Sequence, residues 1–77
     1  MSKAITDDPY ESLGNAIILQ AVNDYRAALR RIKHNPKNHM AIDEALLIEK
    51  FFRGQLYAVI TNIDGEFLID KLRKEVA

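Results

Sequence analysis

The sequence predicts an all-α fold: a small bundle of three main helices, two long antiparallel ones and a C-terminal one, with a short connecting helix. Three observations predict it. Apolar residues recur every three or four positions through most of the chain. The runs are punctuated by helix start and stop residues at Asp8-Pro9, Asn35-Pro36, Asn38 and Gly54. Ile, Leu, Val and Phe make up 23 of the 77 residues, well above the roughly 20% below which a charged chain stays disordered. The expected organisation is a flexible N-terminal tail over 1–8 and a single helical domain over 9–77.

Asp8-Pro9-Tyr10-Glu11 opens the first helix, with a capping Asp, Pro at the first helical position and Glu three residues after the cap. Apart from Gly14, no breaker intervenes before Asn35-Pro36, so this helix spans about Pro9 to His34. Ile18, Val22, Tyr25, Leu29 and Ile32 recur at spacings of 4, 3, 4 and 3, which is a heptad seam. Leu13, Ile17, Ala21 and Ala28 widen it. Leu19 sits off the seam and faces a second surface. Arg30, Arg31, Lys33 and His34 crowd the last turn, where cations complement the carbonyl end of the helix dipole.

Pro36 biases Asn35 away from helix, and the loop through Asn38 reverses the chain. Asn38 suits an N-cap. The second helix then runs from about His39 to Arg53. Its apolar arc is wide, with Ile42, Ala45 and Leu46 down one side and Ala41, Ile48 and Phe52 down another, so it is expected to be covered on more than one side. Glu49 falls among Leu46, Ile48, Phe51 and Phe52, which predicts partial burial and a partner such as Arg26 or Arg53.

Gly54 takes the usual position after a helix end. Residues 55–60 are β-rich in composition, but a lone strand would have no partner, so a short helix is preferred. Thr61-Asn62-Ile63-Asp64 reads as a capping box with Asp in place of Glu. The last helix is expected from about Asn62 to Glu75, burying Ile63, Phe67, Leu68, Leu72 and Val76, with Ile69 at the edge of that stripe.

Composition narrows the function classes. Eleven basic residues balance eleven acidic ones, which removes the basic excess of a typical nucleic-acid binder and the repulsion that keeps small proteins apart. The chain has no Cys, so disulfides, thiolate metal sites and Cys nucleophiles are excluded. No apolar run approaches the roughly 18 residues of a membrane span, and the N-terminus lacks an apolar signal core; the expected location is cytoplasmic. A core this small rarely supplies more than about 3–5 kcal/mol of net stability, which favours a second copy of the chain.

Few constellations carry chemistry. Asn62-Ile63-Asp64-Gly65 imitates part of a calcium loop, but Ile60 and Lys71 occupy the two end-ligand positions. His34 and His39 flank a loop without carboxylates at ligand spacing, so no metal is expected. There is no nucleophilic triad, paired-carboxylate arrangement or glycine-rich phosphate loop, so neither catalytic residues nor cofactors are expected. A helix-turn-helix is disfavoured because Asp64, Glu66 and Asp70 would repel DNA from the last helix. Arg26, Arg30, Lys33 and Lys37 fall at i, i+4, i+7 and i+11, with Arg31 nearby. Three readings fit that stripe: a solvated helix end, a contact for nucleic-acid phosphates, and a dock for an acidic protein surface. Leu19 and Tyr57 are the candidate protein-interface residues, although Tyr57 also fits a core position with a polar tip.

Three segments, read together, resemble a known group: residues 19–29 (LQAVNDYRAAL), 48–53 (IEKFFR) and 62–69 (NIDGEFLI). They are similar to small helical proteins encoded in prophages and conjugative elements of Gram-positive bacteria. The group's usual form has Ser and an aromatic after Phe-Phe-Arg, where this chain has Gly54, Gln55 and Leu56. The resemblance implies a mobile-element setting and no mechanism. The function expected is a non-enzymatic protein-interaction module, self-associating through the Ile18–Ile32 seam, with an accessory nucleic-acid binder as the alternative.

Overall fold

The computed structural model describes residues 9–77, with side chains from Ser12 onward. The expected tail over 1–8 and the Asp8 cap lie outside the described residues. Four helices follow in order: α1 (Pro9–His34), α2 (His39–Phe52), α3 (Gln55–Ile60) and α4 (Gly65–Val76). There is no strand among the described residues.

Helix lengths dictate the architecture. At 1.5 Å per residue α1 is about 39 Å long and α2 about 21 Å. After the turn at Asn35–Asn38, α2 runs back along α1 but covers only part of it. The N-cap is the expected Asn38, whose side chain accepts from the Ala41 amide at 3.1 Å. Ala28, Ala41 and Ala45, all buried, have no long side chains to hold α1 and α2 apart. α3 extends the cover toward the start of α1, where Ile60 lies against Gly14.

α2 ends one residue earlier than the sequence suggests, with Arg53 as its C-cap. Gly54 is not left-handed: its φ of −91° and ψ of 174° are extended, and it serves as the N-cap of α3. α4 starts at Gly65, not Asn62. Thr61 is extended and closes α3. Its hydroxyl accepts from the Ile63 amide two residues on at 3.2 Å, a local turn that displaces the capping box. Asp64 occupies the N-cap position without a side-chain cap bond. Gly65 is required by close approach, since a Cβ there would stand 2.1 Å from the Phe52 carbonyl oxygen.

The core comprises Tyr25, Ala28, Ala45, Phe52, Tyr57, Ile69 and Leu72, with Ile18, Val22, Leu29, Ile32, Ile48, Phe51 and Leu68 packed against it. At its centre the rings of Tyr25 and Phe52 meet edge-to-face with centroids 5.7 Å apart, and Phe52 and Tyr57 do so at 5.6 Å.

Several expectations are corrected here. The Ile18–Ile32 seam is filled by the chain's own helices, so it does not offer a face to a second copy. Tyr57 is only 2% exposed and belongs to the core rather than to an interface. Ile69 is central to the α4 stripe, whereas Ile63 and Phe67 are exposed. On α2 the arc is covered on one side only, leaving Leu46 and Leu47 at the surface.

Candidate functional site

The buried charge of the bundle is Glu49. Its carboxylate accepts from the Tyr25 hydroxyl at 2.5 Å and from Arg73 at 2.8 Å, with Arg53 at 3.4 Å from its other oxygen. Arg73 also donates to the Tyr25 hydroxyl at 3.2 Å, and Arg53 goes on to pair with Glu66. Burial alone would raise the Glu49 pKa. The hydrogen bonds from Tyr25 and Arg73 and the charges of Arg73 and Arg53 overcome it and hold the carboxyl below its ordinary value. Burial, and then the bond to Glu49, push the Tyr25 phenol up to about 12. One group therefore stays ionised and the other protonated near neutrality, which suits neither to proton transfer. The cluster ties α1, α2 and α4 together. Sequence reasoning found the burial of Glu49 and the Arg53 contact but missed Arg73. The available signal was the place of Arg73 next to Leu72 and four residues after Ile69, at the edge of the buried α4 stripe.

The predicted basic stripe divides. Arg26, Arg30 and Lys33 line one groove of about 740 Å³, together with His34, Glu75 and Val76. Arg31 turns to the other side of α1 and pairs with Glu44 of α2 at 3.2 Å. Lys37 is exposed in the loop after α1 and is not among the residues lining the groove. Within the groove Arg26 forms a two-point contact with Glu75 at 2.8 and 3.2 Å, which holds the Glu75 carboxyl below its ordinary value. Lys33 donates to the carbonyls of Val76 and Ala77 at 3.0 and 2.9 Å. The carbonyl ends of α1 and α4 meet here, and the cations offset two negative helix ends. Among the described residues Arg30, alone of the three, makes no ion pair or side-chain hydrogen bond, although its charge also helps to lower the Glu75 pKa.

Leu19 lies seven residues before Arg26, so it shares the outer stripe of α1 with Arg26, Arg30 and Lys33. Leu19 is 59% exposed. It belongs to a larger set: Leu13, Leu46, Leu47, Met40, Leu56, Val59, Ile63 and Phe67 are each more than half exposed. These side chains are spread over all four helices and the loop before α4; exposed apolar residues scattered singly are ordinary, and contiguous patches of them mark interaction sites.

A second hollow of about 430 Å³ lies between the end of α2 and the start of α4, lined by Tyr57, Thr61, Asn62, Asp64 and neighbours. The Tyr57 hydroxyl is buried without a hydrogen-bond partner, and its pKa is raised by burial and then by the charge of Asp64. Among the described residues no group of three or more His, Cys, Asp or Glu is placed to hold a metal ion. Nor is any helix among them long and apolar enough to cross a membrane. No protein-family model, curated protein or solved structure matches this chain.

Proposed function

We propose that this chain is a non-enzymatic, cytoplasmic protein-interaction module that acts by docking on a partner protein. The observation that carries this reading is the exposed apolar surface, above all Leu19 at 59% exposure on the outer stripe of α1. Arg30, which forms no ion pair among the described residues, lies on that stripe about three turns after Leu19, so the stripe suits a partner presenting an apolar residue and a carboxylate about 16 Å apart. The resemblance at residues 19–29, 48–53 and 62–69 supports a phage or mobile-element setting.

Affinity capture from the native host tests this, with the wild-type chain and Leu19→Asp run in parallel. Leu19 is outside the core, so the variant is expected to keep its fold, which circular dichroism checks. A partner held by the wild type and lost by the folded variant is the expected result. Equal capture by both chains, or none by either, would overturn it.

The groove formed by Arg26, Arg30 and Lys33 favours a second reading, accessory nucleic-acid binding. Its weakness is electrostatic: Glu75 and two helix carbonyl ends already occupy Arg26 and Lys33. Binding through phosphates would fall steeply with added salt and weaken in Arg30→Ala. No retention of DNA or RNA at low salt would dismiss it.

A further inference from the structure

We infer that the outer face of α2 is a self-association surface, on which a second copy of this chain packs antiparallel about a two-fold axis at Leu47. This goes beyond the reading above, which concerns a different protein and a different stripe.

Met40, Asp43, Leu47 and Lys50 follow one another at spacings of 3, 4 and 3, the geometry of a helix–helix seam. They lie opposite the residues α2 buries, which are Ala41, Ala45, Glu49 and Phe52. Met40 is 84% and Leu47 68% exposed, with Leu46 flanking them at 56%. This apolar seam is interrupted by two charges, Asp43 and Lys50. Several surface charges pair within the chain, Arg26 with Glu75, Arg31 with Glu44, Arg53 with Glu66 and Lys74 with Asp70. Among the described residues Asp43 and Lys50, like Arg30 and Lys37, form no ion pair.

Their placement is self-complementary. Asp43 stands four residues before Leu47 and Lys50 three residues after it. Reversing the helix direction across a two-fold axis at Leu47 sets Asp43 of each copy beside Lys50 of the other and brings the two Leu47 side chains together. Met40 then falls past the end of the partner copy's α2, which stops at Phe52. A parallel arrangement would set Asp43 on Asp43 and Lys50 on Lys50, so the charges select the antiparallel one. Zero net charge leaves no long-range repulsion to oppose the encounter. The face is about 21 Å long and 10 Å wide, smaller than the roughly 800 Å² per partner of a standard interface. The dimer is therefore a weak one.

Sedimentation equilibrium on the full chain, from micromolar to millimolar concentration, tests the inference. The mass is expected to rise from 8.8 kDa toward twice that value. Leu47→Asp should remain monomeric throughout. Asp43→Lys and Lys50→Asp should each weaken the dimer by roughly tenfold or more, because two attractive pairs become repulsive. Mixing those two variants should restore association, as should combining both changes in one chain. All these side chains are exposed, and the charge-exchange arms stand even where Leu47→Asp fails to fold. A monomer at every concentration would overturn the inference, as would a dimer indifferent to Leu47→Asp and to charge exchange. Neither result bears on Leu19.

Discussion

Replacing Glu49 with Ala removes the acceptor on which three helices converge, and the structure sets the size of the effect. The Tyr25 ring is fully buried, so its hydroxyl proton is left without a partner, at a cost of about 1–3 kcal/mol. The lost carboxylate arm leaves a small cavity worth about 1 kcal/mol more. Arg73 limits the damage. Its side chain is 53% exposed, so it turns to water and does not become a stranded buried charge, and the total stays below the upper end of the roughly 3–5 kcal/mol seen for fully buried pairs. The expected loss is about 2–4 kcal/mol, comparable to the whole stability of a core this small. Tyr25→Phe should cost less, about 1 kcal/mol, because Glu49 keeps both arginines. The double variant should cost clearly less than the two added together, since it contains no orphaned hydroxyl. Urea unfolding followed by circular dichroism measures each. Acid supplies an independent arm. The Glu49 pKa is depressed in the folded state, so its contribution is complete above the unfolded value of about 4.3 and fades as pH falls through the folded value. Glu66 and Glu75 are also depressed and titrate in the same window. The Glu49 share is therefore the difference between wild type and Glu49→Gln, which should narrow below about pH 4.3. A loss under about 1 kcal/mol for Glu49→Ala, or parallel acid profiles for wild type and Glu49→Gln, would refute the reasoning.

Two further predictions concern the junction of α2, α3 and α4. Gly65→Ala should destabilise by more than about 2 kcal/mol, because the new Cβ meets the Phe52 carbonyl at 2.1 Å and backbone must move; thermal unfolding checks this, and an unchanged midpoint would contradict it. Tyr57→Phe should be neutral or stabilising by up to about 1 kcal/mol, since its hydroxyl is buried and unpartnered; a comparable loss in urea unfolding would show that the hydroxyl bonds to something in solution.

The helices were legible because their signals are local. Asn38 caps α2 by a bond that spans three residues, and Pro36 marks the turn whatever packs around it. Misreadings arose where tertiary contact outvotes local pattern. Phe67 and Ile63 fit an apolar stripe on paper, yet α4 is turned by the contact between Gly65 and the Phe52 backbone, and Ile69 takes the centre. The basic cluster looked like one surface because spacing alone is blind to the other helices. Glu44 draws Arg31 to one side of α1, and Glu75 fixes Arg26 on the other. Arg73 lies 24 residues from Glu49, a separation at which no periodicity could connect them.

These pairings fit the proposal that the surface, not the interior, is the working part of the molecule. Ionic groups buried in so small a bundle contribute little net stability beyond what apolar residues would provide, but they disfavour other helix packings when every partner must be satisfied at once. Tyr25, Glu49 and Arg73 meet that condition only when α1, α2 and α4 share one register, which holds the outer faces of α1 and α2 in fixed positions. What these elements leave at the surface includes Leu19 and Arg30, about three turns apart on one helix, and Asp43 and Lys50 astride Leu47 on another. Reversing the charge of Asp43 alone, by Asp43→Lys, while leaving the Glu49 cluster intact should change association without changing stability, and Glu49→Ala should lower stability at concentrations where the chain is monomeric. If both variants moved both quantities together, the division between an internal lock and an external face would fail.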